Sequence, residues 1–354
     1  MSAPGLDGAN VLVTGGTGSL GSALVRRLLA DELHRPASVT VFSRDEAKQH
    51  DLRVALGTAG ADTEEAAYHD LATRLRFRIG SVTDRDALLP ALARADVVMH
   101  AAALKQVPTC ERFPTEAVRT NVDGAHNLVR LIADHRLPVH TVVGVSTDKA
   151  CEPVNVMGMT KAIQERVLMG GNLEAPDTRF VLTRYGNVMA SRGSAIPLFA
   201  HQIRAGEPLT LTSSAMTRFL MGIEDAVDMV LATYADARAG ETLVPRLPSA
   251  RIADVIDALL AGRRMPVIIT GVRPGEKVHE VLISGEEAGR TGERGGHLAI
   301  APLLPEMRPG TGCGAAPPAL SGELSSGDDP MEPDAVRALL DRHGLLEDPP
   351  GTTA

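Results

Sequence analysis

Thr147, Asp148 and Lys149 put a hydroxyl, a carboxyl and an amine into one polar turn, and Lys161 follows twelve residues after Lys149. Such a set can take, hold and return protons, which is acid and base work rather than packing. The apolar run Val139 to Val145 just ahead reads as a buried parallel strand, and open α/β sheets carry their ligand chemistry at that end of a strand. Taken alone, the turn has a blander reading, in which Asp148 caps it and Lys149 is solvated.

A second motif raises the weight of the first. Asn10 to Thr14 reads as a short strand that runs into TGGTGSLG and then into the helical pattern SALVRRLLA. Gly15, Gly18 and Gly21 are spaced to turn the backbone tightly, approach a pyrophosphate and pack the helix on the sheet, with Thr17, Ser19 and Leu20 in the same loop. Free N–H groups at the helix start face the anion. The second strand, Ser38 to Phe42, ends in Ser43 and Arg44, a hydroxyl and a guanidinium that suit a 2′-phosphate, so NADP is favoured over NAD. In the other reading Arg44 is a solvated loop charge and Asp45 holds the ribose hydroxyls.

The elements that would position these residues alternate. Strands are expected at Arg76 to Ile79, Asp96 to His100 and Arg179 to Thr183, and helices at Glu116 to His135 and Met159 to Met169, which makes an α/β doubly wound parallel sheet of Rossmann type. Gly80, Ser81 and Val82 come after the third strand, and the small residues Ala101 and Ala102 after the fourth, where they allow a cofactor to come close. Lys105 reaches toward a substrate phosphate or hydroxyl, or toward solvent. Asn121, on the inward path of its helix, binds substrate or ties backbone groups together. Beyond residue 190 the pattern loosens into a smaller C-terminal substrate domain: SRGSAIPLFAHQIRAGEPLTLT reads as one helix and a short strand, and MTRFLMGIEDAVDMVLATYADA as helix. Arg273, Glu276, Lys277, His279 and Glu280 crowd eight positions, which fits either a surface helix or a mouth over a diphosphate. The domains are expected at 1–190 with 217–245 for the cofactor, 191–216 with 246–302 for the substrate, a Pro, Gly and Ser-rich flexible linker at 303–333, and a terminal helix and tail at 334–354.

Composition narrows the classes. The 354-residue chain carries 36 basic and 44 acidic residues, net −8, which argues against a nucleic-acid footprint or an anionic membrane surface. Cys110, Cys151 and Cys313 are odd in number and lack metal spacing, so neither a disulfide framework nor a metal site is expected and a reducing cytoplasm fits. No signal sequence or membrane span is read, so a soluble protein is expected.

TGGTGSLG, SRDEAKQ, HAAALKQVP, STDKA, MGMTK, RYGNV, MTRF and RPGEKVHEVLIS, in that order over residues 8–285, resemble the UDP-N-acetylglucosamine 4,6-dehydratases of polysaccharide biosynthesis, which are extended short-chain dehydrogenase/reductases. The resemblance implies a tightly held NADP, a UDP-sugar substrate and a soluble homo-oligomer, from dimer to hexamer. It makes Thr147, Asp148 and Lys149 the active-site turn, Lys161 the cofactor-ribose lysine, and Arg273 and Glu276 part of the segment that holds UDP. Tyr185, Asn187 and Arg218, in RYGNV and MTRF, join the substrate side. Two residues depart from the family's shorter soluble members: Met157 stands where they have Tyr, and Ser81 where Asp lies beside the adenine. The activity implied is internal hydride transfer from C4 to C6 with loss of water and inversion at C5. Lys149 is the expected C5 base, provided its surroundings lower its pKa, and Asp148 the acid for the leaving hydroxyl. With Met157 unable to take a proton, the C4 hydroxyl proton is left to Asp148, to Thr147 through a water, or to Lys161. The alternatives on the same scaffold are a UDP-sugar epimerase, a dehydratase that stops at an unsaturated sugar, and a catalytically inactive NADP-binding regulator.

Overall fold

The structure is a computed structural model that describes residues 5–30, 35–57, 73–191, 193–307 and 318–346. Its centre is a sheet built from β1 (Asn10–Thr14), β2 (Ser38–Ser43), β3 (Leu75–Ile79), β4 (Val97–His100), β5 (Thr141–Val145) and β6 (Arg179–Thr183). The later strands are shorter: β7 (Asn187–Val188), β8 (Leu209–Leu211), β9 (Thr217–Met221), β10 (Thr242–Val244), β11 (Ser249–Arg251), β12 (Val267–Ile269), β13 (Val281–Ile283), β14 (Thr291–Arg294), β15 (His297–Ile300) and β16 (Leu324–Ser325). The nine-stranded order is β14-β15-β10-β6-β5-β4-β1-β2-β3. From β3 to β10 every pairing is parallel, and β15 and β14 add an antiparallel edge. The chain leaves β1 toward β3, then returns past it to β4, so the order reverses between β1 and β4. A crevice opens at their C-terminal ends, where such sheets bind ligands.

The central strands are largely apolar because helices cover both faces. Val11 and Val13 point to one face, against Leu24, Val25 and Leu28 of the helix Ser19–Leu29 and Val227 and Val230 of Ile223–Asp236. Leu12 points to the other, with Leu88, Leu128, Ile132 and Leu168 of three further helices. Each fully buried large aliphatic side chain contributes about 1.5–3 kcal/mol relative to exposure, so this sandwich is what fixes the loops at the sheet's edge.

Four local expectations change. The helix expected over Glu116 to His135 is interrupted: Pro114–Ala117 and Gly124–His135 are α-helical, and Val118–Asp123 between them is a π-turn. Thr217–Met221, read as helix, is strand β9, paired with β7 and β11. The charged stretch 271–280 is a turn-rich connection rather than a surface helix. Residues 291–300, expected in the substrate domain, form the β14–β15 hairpin that extends the central sheet.

The linker expected at 303–333 falls partly on 308–317, and the expected tail partly on 347–354, both outside the described residues. Residues 318–346 between them are packed. Leu324–Ser325 pairs with β13, and Ser326 is fully buried with its hydroxyl on Thr217 Oγ1 at 2.7 Å. The last helix, Pro333–Arg342, buries Val336, Leu339 and Leu340 against Val255 and Ala258 of the helix Ile252–Leu260. Among the described residues no helix is long and apolar enough to cross a membrane.

Candidate active site

The glycine loop is built as the spacing requires. Gly15 has φ +69°, and a Cβ there would lie 2.8 Å from Ala102 Cα, while one on Gly21 would strike the Gly15 carbonyl. The absent side chains leave a cradle between the loop and Ala101–Ala102 that fits a dinucleotide pyrophosphate at the start of the helix Ser19–Leu29. Ser43 at the end of β2 is buried and accepts from Gln49 Nε2 at 3.0 Å. Arg44 stands exposed at the cavity wall. Asp45 is already engaged, with Lys48 N at 3.0 Å and Lys48 Nζ at 2.5 Å. The hydrogen bonds to Lys48 hold its carboxyl below the usual aspartate range. Ser81 shares a 2.8 Å hydrogen bond with Thr83, and Val82 is packed under the same rim.

One cavity of about 1090 Å³ runs from this loop to the charged connection at 273–280 and is lined by Gly15, Ser43, Thr147, Lys149, Met157 and Glu280 among others. Thr17, Gly18, Ser19, Leu20, Gly21, Arg44, Ser81, Val82, Ala101, Ala102, Lys105, Lys161, Tyr185, Asn187, Arg218, Arg273 and Glu276 also face it. Asp148 and Asn121 do not.

Asn121 is fully buried on the π-turn. Its Oδ1 accepts from Leu104 N at 2.8 Å, and its Nδ2 donates to Leu104 O at 3.0 Å and Thr160 Oγ1 at 2.9 Å. Its amide is committed to these partners and does not face the cavity. It fastens the loop that carries Lys105 to the helix Val156–Glu174, a use of a π-turn near a site that the sequence period conceals.

The acid–lysine turn comes directly after β5. Thr147 Oγ1 donates to Asp148 Oδ1 at 2.9 Å, and Lys149 Nζ donates to the same oxygen at 3.1 Å. Lys149 Nζ also reaches Asn187 Oδ1 at 3.2 Å and Glu280 Oε1 at 3.0 Å. Burial alone would lower the Lys149 pKa, but Asp148 and Glu280 together outweigh it and raise it. The lowered value that a resting base requires is therefore not found, and the resting lysine is an ammonium. Asp148 is wholly buried, with Oδ2 lacking any hydrogen-bond partner, so it acts on the cavity only through Thr147 and Lys149. It cannot itself hand a proton to a leaving group there.

Met157 lies in the first turn of the helix Val156–Glu174 and packs with Cys110 and Ala117. Four residues on, Lys161 donates to Val145 O at 2.5 Å and Gln164 Oε1 at 2.7 Å, and burial pushes its pKa down to about 8 against the pull of Glu165. Asn155 caps the helix by accepting from Gly158 N at 2.8 Å, and its amide donates to Gly275 O at 2.8 Å, joining this helix to the 273–280 connection.

Arg218 spends its guanidinium on three backbone carbonyls, of Thr217, Lys277 and Val278, at 2.7, 3.0 and 3.1 Å, and lies 3.7 Å from Glu280. It braces the connection from the cavity wall. Burial raises the Tyr185 phenol far above its ordinary value, so it is a neutral wall and not a base. Beneath the turn, Arg184 pairs with Glu165 and Glu287, each at 2.7 Å, and Ser146 Oγ donates to Glu165 at 2.6 Å. Sequence reasoning missed this buried trio and the roles of Asn155 and Ser326. It noted Glu280 only as one of a crowd of charges. Among the described residues no group of side chains is arranged to hold a metal.

A doubly wound sheet, a glycine cradle at its switch point and an acid–lysine turn one strand away define an enzyme of the extended short-chain dehydrogenase/reductase class, of the nucleotide-sugar epimerase and dehydratase kind. Within that class the chain belongs to the family described as polysaccharide biosynthesis protein, whose model matches residues 11–301. A relative from Rickettsia prowazekii, named UDP-glucose 4-epimerase, is 41% identical over 295 residues, 82% of each chain. The crystal structure of Pen from Bacillus thuringiensis superposes with a TM-score of 0.84 at 29% identity, covering 96% of this chain and 99% of that one. DesIV, a dTDP-glucose 4,6-dehydratase from Streptomyces venezuelae solved with NAD, shares the fold at TM-score 0.62 and 24% identity over 76% of this chain and 86% of its own.

Proposed function

We propose that the protein catalyses the 4,6-dehydration of a UDP-N-acetylhexosamine, UDP-N-acetylglucosamine first among them, to a 4-keto-6-deoxy sugar with NADP and with inversion at C5. The observation that carries this reading is the pairing of Met157 with the Asp148–Lys149–Glu280 cluster. A 4-epimerase needs one proton acceptor at the C4 hydroxyl and no second pair of groups for C5 and C6. This site offers a thioether at the usual acceptor position and a cluster of titratable groups beside it. A bound dinucleotide would accept hydride from C4 and return it at C6, without net oxidation. The protein's part is proton traffic. Thr147 passes the C4 hydroxyl proton to Asp148 over 2.9 Å, and Lys149 serves C5, where a C4 ketone makes the hydrogen acidic. Lys161, held on the Val145 carbonyl, would hold the ribose of a bound cofactor. The occupation of Asp45 by Lys48 leaves Arg44 to a 2′-phosphate, which supports NADP. Met159 and Ile163, one turn apart on the helix Val156–Glu174, and Phe113 are each about half exposed, which supports a homo-oligomer.

The epimerase reading is kept because the Rickettsia relative carries that name. Purified protein incubated with UDP-N-acetylglucosamine separates the two by mass. A product lighter by one water is expected, and a product of unchanged mass would favour epimerisation.

A further inference from the structure

Glu280 occupies the cavity side of the lysine, opposite Asp148. Its backbone is clamped from both directions by Ser326, whose hydroxyl accepts from Glu280 N at 2.9 Å and whose N donates to Glu280 O at 2.8 Å. Its side chain is 3% exposed, with Oε1 3.0 Å from Lys149 Nζ and 3.7 Å from Arg218 Nε. Oε2 is buried with no hydrogen-bond partner, and the residue lies on the wall of the large cavity. A buried carboxylate oxygen without a donor is costly, and one that faces a ligand cavity is completed by a donor the ligand brings. Asp148 has an orphan oxygen too, but it is sealed behind Thr147 and Lys149 and is absent from that wall.

We propose that Glu280 is the general acid that protonates the departing C6 hydroxyl, and that it obtains the proton from Lys149. The assignment rests on the 4,6-dehydratase reading. Lys149 rests as an ammonium and must shed a proton before it can act as a base. Transfer from Nζ to Glu280 Oε1 gives a neutral amine and a carboxylic acid and leaves the charge of the cluster unchanged. Once C4 is a ketone, the amine removes the C5 proton and the C5–H electron pair becomes an enolate with the C4 carbonyl. The enolate then re-forms the carbonyl as a C5–C6 double bond forms and the C6–O bond breaks. The Glu280 proton goes to that oxygen and water leaves. Lys149 is again an ammonium and Glu280 a carboxylate. When hydride reaches C6, C5 takes a proton from solvent water on the face opposite Lys149, which inverts it, and Asp148 returns to solvent, through Thr147, the proton taken from the C4 hydroxyl. The sum is loss of one water.

The test is Glu280→Gln, which keeps the shape of the side chain and removes the transferable proton. Wild-type protein in deuterated water is expected to yield a product lighter by one water with deuterium at C5. In Glu280→Gln, UDP-N-acetylglucosamine binding by calorimetry should stay within about threefold and the absorbance of reduced nicotinamide should still appear on mixing, while water loss falls by ~10²–10⁴-fold. Glu280→Asp should recover part of that rate with an altered pH profile. Dehydration by Glu280→Gln within a few-fold of wild type would remove Glu280 from the step while leaving the dehydratase reading intact. Loss of binding and of nicotinamide reduction together would reduce Glu280 to a structural role. A wild type that converts substrate without change of mass would overturn the dehydratase reading and this assignment with it.

Discussion

Asp148, Lys149 and Glu280 show how little a residue's type says about its state. A lysine between two carboxylates has its pKa raised although burial alone would lower it. Lys161, twelve positions on, is buried without two such partners and falls to about 8. The same logic operates on the cofactor side, where Lys48 occupies Asp45 and Arg44 is left at the wall. The protein should therefore bind NADP more tightly than NAD, and Arg44→Ala should erase the difference. A charge-assisted hydrogen bond is worth ~1.5–3 kcal/mol, so the preference lost should be about ten- to a hundredfold in Kd. Titration with each cofactor checks this, and equal wild-type affinities would return the ribose to Asp45.

At the scale of elements, the site depends on how closely the helix Val156–Glu174 meets the turn after β5. Gly158 makes the approach possible, since a Cβ there would collide with the Lys149 carbonyl oxygen. Alanine is the better helix former by about 1 kcal/mol, so Gly158→Ala ought to firm the helix in isolation. In the protein the collision should displace Lys149, and a shift of about 1 Å can cost ~10²-fold in rate. Steady-state rates read beside the melting temperature test this: activity should collapse without any gain in Tm. Near wild-type activity with a raised Tm would mean that the helix start has room to move.

Across the whole molecule, the C-terminal segment braces the wall of the candidate site. Residues 318–346 reach back to pair with β13, clamp Glu280 through Ser326 and bury Leu340 against the helix Ile252–Leu260. Removing residues 318–354 would strip Val336, Leu339 and Leu340 from the core beside Val255 and Ala258, and a buried hydroxyl from Thr217 and Glu280. Losses of buried large side chains cost ~2–5 kcal/mol each, so the shortened protein should unfold at clearly lower urea and lose activity, whereas limited proteolysis of the full chain should leave 318–346 intact. Early cleavage inside 318–346 would contradict this packing.

The strands β1 and β6, the glycine cradle and the acid–lysine turn are legible in the sequence because each depends on neighbours a few positions away: a short apolar run, a φ-positive glycine, a polar turn at a strand end. Met157 and Lys161 are linked to that turn by the family resemblance, which puts Met157 where Tyr is usual, four residues before Lys161. The committed amide of Asn121, the raised pKa of Lys149 and the place of Glu280 are not legible. Each is decided by groups far away in the chain, and Lys149 meets its second carboxylate partner because β13 packs against the turn. The tail misleads for the same reason: Pro, Gly and Ser in 318–333 signal a chain that cannot form a core of its own, and only the tertiary structure supplies the surface, Thr217, β13 and the helix Ile252–Leu260, on which that chain becomes ordered.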